Sequence, residues 1–472
     1  MSSPPAPFTA SPSASGSPGA LLTEVAEVQE ALSSTRLGDA SGQPTGTQRA
    51  IRWHPPAYDI RVEDIDVPRI LHPDDAIVKV KLAALCGSDL HIYRGNGGVK
   101  DVHTCGHEFI GEVVALGSSY GSQAGDRPAL YSSLKIGHKV VSPFTVNCGE
   151  CSVCRLGYTA RCPEGALFGS PLLDGGQAQY VRVPKAGGTL FDLSDSSTWS
   201  SSMAPEERQT ALSKLSDRSL LMLADILPTG VFAAVQAINH PKVQPVLTGK
   251  PWPLCFSSVP ESNNLSILDE DKVFTAGIVG LGPVGVCAAI SLLDTLSTRK
   301  VPFHIIAVDP NGSRRTKMKA VYDAIDVSGK AGGTFEVLAI DEAKARANEV
   351  TKGVGCTAVL EVVGNSSALD FSYTLVRAFG VIVSVGVHGE PPLPFNGRQA
   401  YNKNVSLDFG RCPARAMFPP AFDLLVKRQD IFGQVGEPAS LIDRIVDFDQ
   451  AVESYSSFDK GEIGKVIFDP WK

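Results

Sequence analysis

Four closely spaced cysteines carry the clearest chemistry in this sequence. Cys148, Cys151, Cys154 and Cys162 form the pattern C-x2-C-x2-C-x7-C. Four thiolates with this spacing suit a closed, tetrahedral structural zinc site. An iron–sulfur cluster is an alternative use of the same ligands, whereas four clustered free thiols would be prone to oxidation. The pattern therefore predicts a metal centre in this segment.

A glycine-rich stretch at residues 280–285 has the spacing of a phosphate-binding turn. It follows an apolar run at residues 274–279, which predicts a buried strand, and precedes a predicted helix at residues 286–293. In a G-x-G-x-x-G turn the glycines allow a tight bend, a close approach of pyrophosphate and close helix–strand packing. The anion then meets the free N–H groups of the helix. The predicted cofactor-binding residues of this turn are Gly280, Gly282, Pro283, Val284 and Gly285.

A second apolar run, at residues 304–309, ends in Asp309. A carboxylate at the end of the second strand can accept hydrogen bonds from ribose hydroxyls and would repel a 2'-phosphate. The sequence therefore predicts NAD rather than NADP. The alternative is a glycine-rich turn in an α/β protein that binds no dinucleotide.

The elements around these motifs predict two kinds of sheet. Residues 50–53, 60–65 and 76–82 resemble strands of a β-rich region. Residues 358–364, 381–387 and 405–410 predict three further buried strands separated by helical stretches. Together with the strands around the glycine turn, they predict an α/β fold with a doubly wound parallel sheet.

Taken together, the motifs resemble those of the zinc-dependent medium-chain alcohol dehydrogenases. The segment from Cys86 to His91 (C-G-S-D-L-H), the Gly106-His107-Glu108 triplet, the four cysteines and the glycine turn occur in that family's order. The segment from Asp225 to Gly230 is similar to the branch that contains glutathione-independent formaldehyde dehydrogenases. The resemblance extends from about residue 48 to the C-terminus. It implies a GroES-like β-rich catalytic domain, residues 49–227 plus 411–472, interrupted by a Rossmann NAD-binding domain, residues 228–410, and a homo-oligomer, either dimer or tetramer.

By this resemblance the chain would hold a catalytic zinc besides the structural one. Cys86 and His107 would be two ligands, and the third would be Asp225 or Glu108. If Glu108 continued a strand from His107, their side chains would point to opposite faces. The resemblance to the formaldehyde dehydrogenase branch also implies that Asp225 occupies the third-ligand position, so we prefer Asp225. Asp225 could instead be an ordinary helix N-cap, and Glu108 could be a neighbouring or exchanging group.

Ser88 and His91 are the predicted proton-transfer residues. In the implied reaction Ser88 takes the hydroxyl proton and passes it through the cofactor ribose to His91, whose unperturbed pKa suits release to solvent. Hydride passes from the substrate carbon to the nicotinamide.

Four further residues have less specific roles. Arg314 resembles the family residue that packs against adenosine, or it is an exposed helix cation. Asp89 could orient a ligand or lie at the surface. Lys465 could approach the cofactor pyrophosphate, and His388 could line the nicotinamide pocket or belong to an ordinary loop.

The predicted function is a zinc-dependent oxidoreductase that transfers a hydride between an alcohol or aldehyde hydrate and NAD. One alternative is an aldehyde dismutase or formaldehyde dehydrogenase-like enzyme that holds its NAD tightly. Another is a non-catalytic NAD-binding protein, which the intact set of chemical residues disfavours.

Composition argues against nucleic acid and membranes as partners, and the resemblance implies a small-molecule alcohol or aldehyde substrate. The net charge of −7 and the absence of a long basic run argue against nucleic acid. The apolar stretch 277–293 is too short to span a membrane, and no signal peptide is evident, so we expect a cytoplasmic protein. Residues 1–48 are predicted to be a disordered tail, with a short helix possible within 21–32. Expansions at residues 118–135, 186–218 and 240–271 are predicted to be surface loops.

Overall fold

The computed structural model describes residues 43–121, 125–252, 267–389 and 392–472. The predicted disorder of residues 1–42, the helix within 21–32 and parts of the first and third expansions therefore lie outside the described residues. The predicted tail extends too far, because Thr47 and Gln48 belong to the first strand. The Gln48 side chain also accepts a hydrogen bond from the Tyr180 N–H at 2.6 Å, which ties this segment to the β-rich region.

The described strands, in chain order, are β1 (Thr47–His54), β2 (Asp59–Asp66), β3 (Ala76–Ala84), β4 (His103–Thr104), β5 (Glu108–Leu116), β6 (Lys139–Ser142), β7 (Tyr180–Val183), β8 (Phe191–Asp192), β9 (Phe274–Val279), β10 (Phe303–Val308), β11 (Gly333–Leu338), β12 (Cys356–Glu361), β13 (Val376–Ser384), β14 (Ser406–Phe409), β15 (Ile442–Val446) and β16 (Lys465–Phe468).

The described α-helices are α1 (Asp89–Tyr93), α2 (Leu130–Ser133), α3 (Ser152–Arg155), α4 (Ala186–Thr189), α5 (Pro205–Lys214), α6 (Asp217–Leu221), α7 (Ile226–Asn239), α8 (Gln244–Thr248), α9 (Pro283–Thr298), α10 (Gly312–Ala324), α11 (Ile340–Val350), α12 (Ser366–Leu375), α13 (Gly397–Lys403), α14 (Ala414–Lys427), α15 (Gln429–Phe432) and α16 (Ala451–Asp459).

A six-stranded parallel sheet is built from β9 to β14. Its strand order is β11-β10-β9-β12-β13-β14, and every neighbouring pair is parallel. The central strand β9 is buried at all six positions, which explains why its sequence is continuously apolar rather than alternating. This order is that of a doubly wound dinucleotide-binding sheet, so the predicted Rossmann fold is confirmed.

Glycines allow helix α9 to pack closely against its neighbours. Gly280 has φ +98°, a left-handed conformation that suits the bend after β9. A Cβ atom on Gly285 would lie 2.0 Å from the Gly280 carbonyl oxygen, and one on Gly230 would lie 2.4 Å from the Cys287 Cβ. A larger residue at either place would push α9 away from the turn or from α7.

A seven-stranded sheet holds the other large set of strands. Its order is β15-β16-β3-β5-β6-β8, with β7 also paired to β3. Of these strands, β3, β5, β6, β7 and β8 precede the parallel sheet in the chain, and β15 and β16 follow it. A third, three-stranded sheet has the order β2-β1-β4. A β-rich unit interrupted by a parallel-sheet unit was the expected architecture, and it is confirmed.

One local expectation was wrong. The second expansion contains helices α4 and α5 and the start of α6, so it is not only loop. Residues 420–425 lie within α14, which packs against α7 and also against the 3-10 helix Thr159–Arg161. Within the described ranges, no single helix is long and apolar enough to span a membrane, although the bent pair Asp217–Ala224 and Ile226–Asn239 passes that test when counted together.

Candidate metal and cofactor site

Four potential metal ligands converge where the seven-stranded sheet meets helix α7. Cys86 follows β3, His107 precedes β5, Glu108 begins β5, and Asp225 immediately precedes α7. One ligand atom from each residue lies within 4.8 Å of all the others. All four side chains are buried. Residues separated by up to 139 positions therefore form one enclosed donor set.

The distances between three of the donors suit one tetrahedral ion. Asp225 Oδ2 lies 3.5 Å from Cys86 Sγ and 3.2 Å from His107 Nε2. A tetrahedral zinc with its usual bond lengths would place such sulfur–oxygen and nitrogen–oxygen pairs about 3.3–3.6 Å apart. The residues present therefore fit a zinc ion with one sulfur, one nitrogen and one oxygen ligand.

The charges of the cluster also call for a cation. Burial, together with the carboxylates of Glu108 and Asp225, raises the pKa of the Cys86 thiol to about 11. Lys465 pairs with Glu108, so a thiolate here would still be buried beside the Asp225 carboxylate. A divalent ion supplies a compensating positive charge and deprotonates a coordinating thiol.

Asp89 orients the histidine of this cluster. Its Oδ1 lies 3.0 Å from His107 Nδ1, and its Oδ2 accepts a hydrogen bond from the Cys86 N–H at 2.9 Å. A carboxylate on one ring nitrogen fixes the tautomer and turns the other nitrogen towards a metal. Of the two roles considered for Asp89, the structure therefore supports the orienting one.

Asp225 occupies the N-cap position of α7 but does not act as a cap. Its side chain makes no capping hydrogen bond. Oδ2 faces Cys86 and His107, while Oδ1 accepts a hydrogen bond from Thr229 Oγ1 at 2.8 Å. Thr229 lies one turn further along the same helix, so an Asp-x-x-x-Thr pattern was the sequence signal for this contact.

Glu108 forms an ion pair with Lys465. Strand alternation does not turn its side chain away from the cluster, because Glu108 is one of the four converging residues. β5 begins at Glu108, and Gly106, with φ +91°, turns the chain just before it, so His107 and Glu108 do not alternate as strand neighbours. Lys465 Nζ donates to both Glu108 oxygens, at 2.7 and 2.5 Å, in a fully buried pair. Lys465 therefore lies beside the metal-ligand cluster.

Ser88 and His91 lie at the edge of the same cluster. Ser88 Oγ is 3.2 Å from both Cys86 Sγ and His107 Nε2. His91 is half-buried on α1, and its backbone N–H donates to the Ser88 carbonyl. Burial lowers the pKa of His91, and the charge of Arg94 lowers it further, which favours a neutral imidazole that can accept a proton.

The four-cysteine segment folds into a second donor set. Cys148 Sγ lies 3.9 Å from Cys154 Sγ and 3.6 Å from Cys162 Sγ, close to the roughly 3.8 Å edge of a tetrahedral zinc–thiolate site. Backbone N–H groups face the sulfurs, and the Cys154 N–H bonded to Cys151 Sγ lowers the pKa of that thiol to about 7. These residues fit a closed metal centre.

Asp309 anchors the glycine turn. Asp309 directly follows β10, and its exposed fraction is 1%. Its carboxylate accepts hydrogen bonds from the Leu281 and Asn311 N–H groups, both at 2.8 Å, and Arg314 Nη1 lies 3.7 Å from Oδ2. Pro283, Val284 and Gly285 form the first turn of α9, as the turn pattern requires.

A further polar cluster joins the ends of β12 and β13. Buried Glu361 accepts hydrogen bonds from the Val363 and Gly364 N–H groups, both at 2.8 Å. Its other oxygen lies 2.6 Å from Ser384 Oγ and 3.1 Å from His388 Nε2. Sequence reasoning noted only His388, because the partner carboxylate lies 27 residues earlier.

Family models match the segment that contains Cys86, His107 and the four cysteines, and also the segment that contains much of the parallel sheet. The alcohol dehydrogenase GroES-like domain matches residues 72–195, which include Cys86, His107 and the four-cysteine segment. The zinc-binding dehydrogenase model matches residues 289–427, which cover much of the parallel sheet.

Whole-chain relatives extend the likeness. The chain is 36% identical over 423 residues to zinc-type alcohol dehydrogenase B from Aspergillus flavus, covering 89% of this chain and 81% of that protein. It is 28% identical over 444 residues to formaldehyde dismutase from Pseudomonas putida, covering 87% and 95%. Among solved structures, an alcohol dehydrogenase from Thermus sp. ATN1 has the same fold, with a TM-score of 0.63 and 24% identity over 89% of this chain and 99% of that one.

Proposed function

The chain belongs to the zinc-dependent medium-chain alcohol dehydrogenases, and on that premise we propose that it oxidises an alcohol or an aldehyde hydrate with NAD at the Cys86–His107–Asp225 cluster. The observation that carries this assignment is the tetrahedral spacing of those three donors. Glu108, held by Lys465, stays beside them. The four-cysteine segment would hold a second, structural zinc.

Zinc bound to these three residues would act as a Lewis acid that lowers the pKa of a substrate hydroxyl. The protein residues position and deprotonate the substrate. Ser88 Oγ, placed against both Cys86 and His107, accepts the hydroxyl proton, and His91 receives it for release to solvent. Asp89 keeps His107 in the orientation that this arrangement requires.

The proposed cofactor is NAD, which accepts the hydride when it is bound. Asp309 and the glycine turn support it, because the carboxylate lies at the carboxyl end of the second strand of the sheet, beside the Leu281 N–H. A 2'-phosphate would meet this buried acid. Gly280, Gly282 and the first turn of α9 would receive the pyrophosphate, and Arg314 would lie beside the adenosine.

The test is formation of NADH, followed by ultraviolet absorbance, with purified zinc-replete protein and a panel of alcohols, polyols and aldehydes. We expect absorbance to rise with one substrate class and NAD, and much less with NADP. Cys86→Ala should abolish the signal. Turnover that survives this substitution would contradict the assignment of the cluster.

A second candidate is aldehyde dismutation with tightly held NAD. The similarity to formaldehyde dismutase over 87% of this chain favours it, because a hydrated aldehyde is a diol that the same site could oxidise. The chain as purified would then contain NAD, and it would convert an aldehyde to equal amounts of acid and alcohol without added cofactor.

A further inference from the structure

Two arginines near the proposed active site have no partner among the residues that the structure describes. Arg411 follows β14 at the carboxyl edge of the parallel sheet, and Arg161 ends the 3-10 helix Thr159–Arg161 in the four-cysteine segment. Both side chains are exposed. Within the described ranges, neither guanidinium forms a hydrogen bond or an ion pair. Charged groups of this kind can bind an external anion.

Packing brings the two arginines into one region. The 3-10 helix that ends at Arg161 packs against α14, which begins three residues after Arg411. At the same contact, a Cβ atom on Gly157 would lie 3.7 Å from the Ala416 Cβ. The four-cysteine segment and the end of the parallel sheet therefore meet at the start of α14.

The electrostatic environment of Arg411 supports its proximity to Arg161 and to Asp225 of the metal-ligand cluster. The pKa of the Arg411 guanidinium is lowered, chiefly by partial desolvation and next by the charge of Arg161, whereas the Asp225 carboxylate raises it. The Arg411 guanidinium is therefore near enough to both Arg161 and Asp225 to be affected by their charges.

A buried apolar group connects the metal-ligand cluster to Arg411. Cys412, next to Arg411, is buried against Phe144, and Leu167 and Met417 pack on the same group. The Phe144 ring meets His107 edge to face, with centroids 6.3 Å apart. From the metal ligands outwards, the packing therefore places apolar side chains first and the guanidinium of Arg411 next.

We propose that Arg161 and Arg411 select substrates in which a short apolar spacer joins the reacting carbinol carbon to an oxyanion, either carboxylate or phosphate. This inference rests on the proposed function of the site. The planar guanidinium fork matches the spacing of two oxygens of a carboxylate or a phosphate and binds them bidentately. The reaction itself is unchanged, since the C–OH group loses one proton and one hydride to become a carbonyl while the oxyanion remains intact.

The first test compares kcat/KM for ω-hydroxy acids of three to six carbons with that for diols of equal length, and includes the matching hydroxyalkyl phosphates. We expect the anionic substrates to be preferred. Arg411→Gln should lower kcat/KM for them by about tenfold, mainly through KM, with little change for diols. Arg411→Lys should retain part of the preference. Arg155→Gln removes another exposed charge of the same four-cysteine segment and should leave the preference intact.

Calorimetric binding of hexanoate and hexyl phosphate to the NADH-loaded protein gives a readout without turnover. Arg411→Gln and Arg161→Gln should each weaken binding of the better anion by about tenfold, and added salt should weaken binding to the parent. The proposal is overturned if neither anion binds better than hexanol, or if Arg155→Gln acts as strongly as Arg411→Gln. Absence of turnover with every substrate would instead count against the proposed function, and the calorimetry would still decide the anion site.

Discussion

Lys465 and Glu108 form a fully buried ion pair between the first residue of β16 and the first residue of β5. The pair lies directly beside Cys86, His107 and Asp225. Burial alone would lower the pKa of Lys465, but the charges of Glu108 and Cys86 outweigh it and the pKa is raised. Because both Glu108 oxygens receive hydrogen bonds from Lys465, the pairing supports the proposal that Asp225, rather than Glu108, completes the metal ligands.

Breaking this pair should be costly. Lys465→Met leaves the Glu108 carboxylate buried without its partner, and we expect a loss of ~3–5 kcal/mol in the free energy of unfolding. The double variant Glu108→Gln with Lys465→Met should be less destabilised than the single one, because no charge is left uncompensated. Urea unfolding of the zinc-loaded proteins measures the free energy of unfolding of the single and the double variant. A Lys465→Met variant as stable as the parent would show that the pair contributes nothing.

The two donor sets predict two separable zinc ions. Asp225→Ala and Cys86→Ala should each lose one zinc per chain and keep the other, because each removes a ligand from the three-residue set only. Cys154→Ser should release the zinc of the four-cysteine segment. Metal analysis after dialysis decides the point, and equal zinc contents in parent and Asp225→Ala would eliminate that residue as a ligand.

Thr229 should tune zinc affinity without touching the ion. Its hydroxyl donates to Asp225 Oδ1 at 2.8 Å, so Thr229→Val removes the contact that fixes this carboxylate. Loss of such an outer contact typically weakens metal binding about 10–100-fold. Competition with a chromophoric chelator would measure the change. Thr248→Val is the control, because Thr248 is exposed and its hydroxyl donates only to the Gln244 carbonyl; an equal effect there would refute a specific role for Thr229.

Local sequence patterns predicted the elements of this fold that depend on short-range spacing. The glycine turn, the all-buried strand β9 and the four-cysteine segment each depend on residues within about fifteen positions of one another, where steric and ligand geometry follow directly from spacing. The resemblance to a known family supplied Cys86, His107 and Asp225, which the described structure brings within one donor set.

Long-range pairing could not be predicted from the sequence because no local pattern encodes it. Lys465 and Glu108 are 357 positions apart, and only the return of the chain to the seven-stranded sheet brings them together. The alternation rule failed at His107 and Glu108 because the turn at Gly106 ends just before the strand begins. Arg161 and Arg411 lie in one region because the 3-10 helix Thr159–Arg161 packs on α14. The extent of α14 was not predicted.

The polar cluster at the ends of β12 and β13 should make stability depend on pH through Glu361. Burial would raise the pKa of this carboxyl, but hydrogen bonds from His388, Ser384 and two backbone N–H groups outweigh it, so the pKa lies below its ordinary value of 4.5. The ionised form is therefore favoured by folding. Its contribution is complete above that ordinary value and is lost as the pH falls through the lower pKa of the folded state.

Glu361→Gln should consequently destabilise the protein by ~1–3 kcal/mol at pH 7, because a neutral amide cannot accept the same set of hydrogen bonds. The difference from the parent should shrink as the pH falls below 4.5, since the parent loses the ionised form there and the variant has none to lose. Urea unfolding followed by circular dichroism between pH 7 and pH 3 measures this convergence. Glu453→Gln, an exposed change on α16, should leave stability nearly constant relative to the parent; a Glu361→Gln difference that does not vary with pH would show that this carboxylate is not the titrating group.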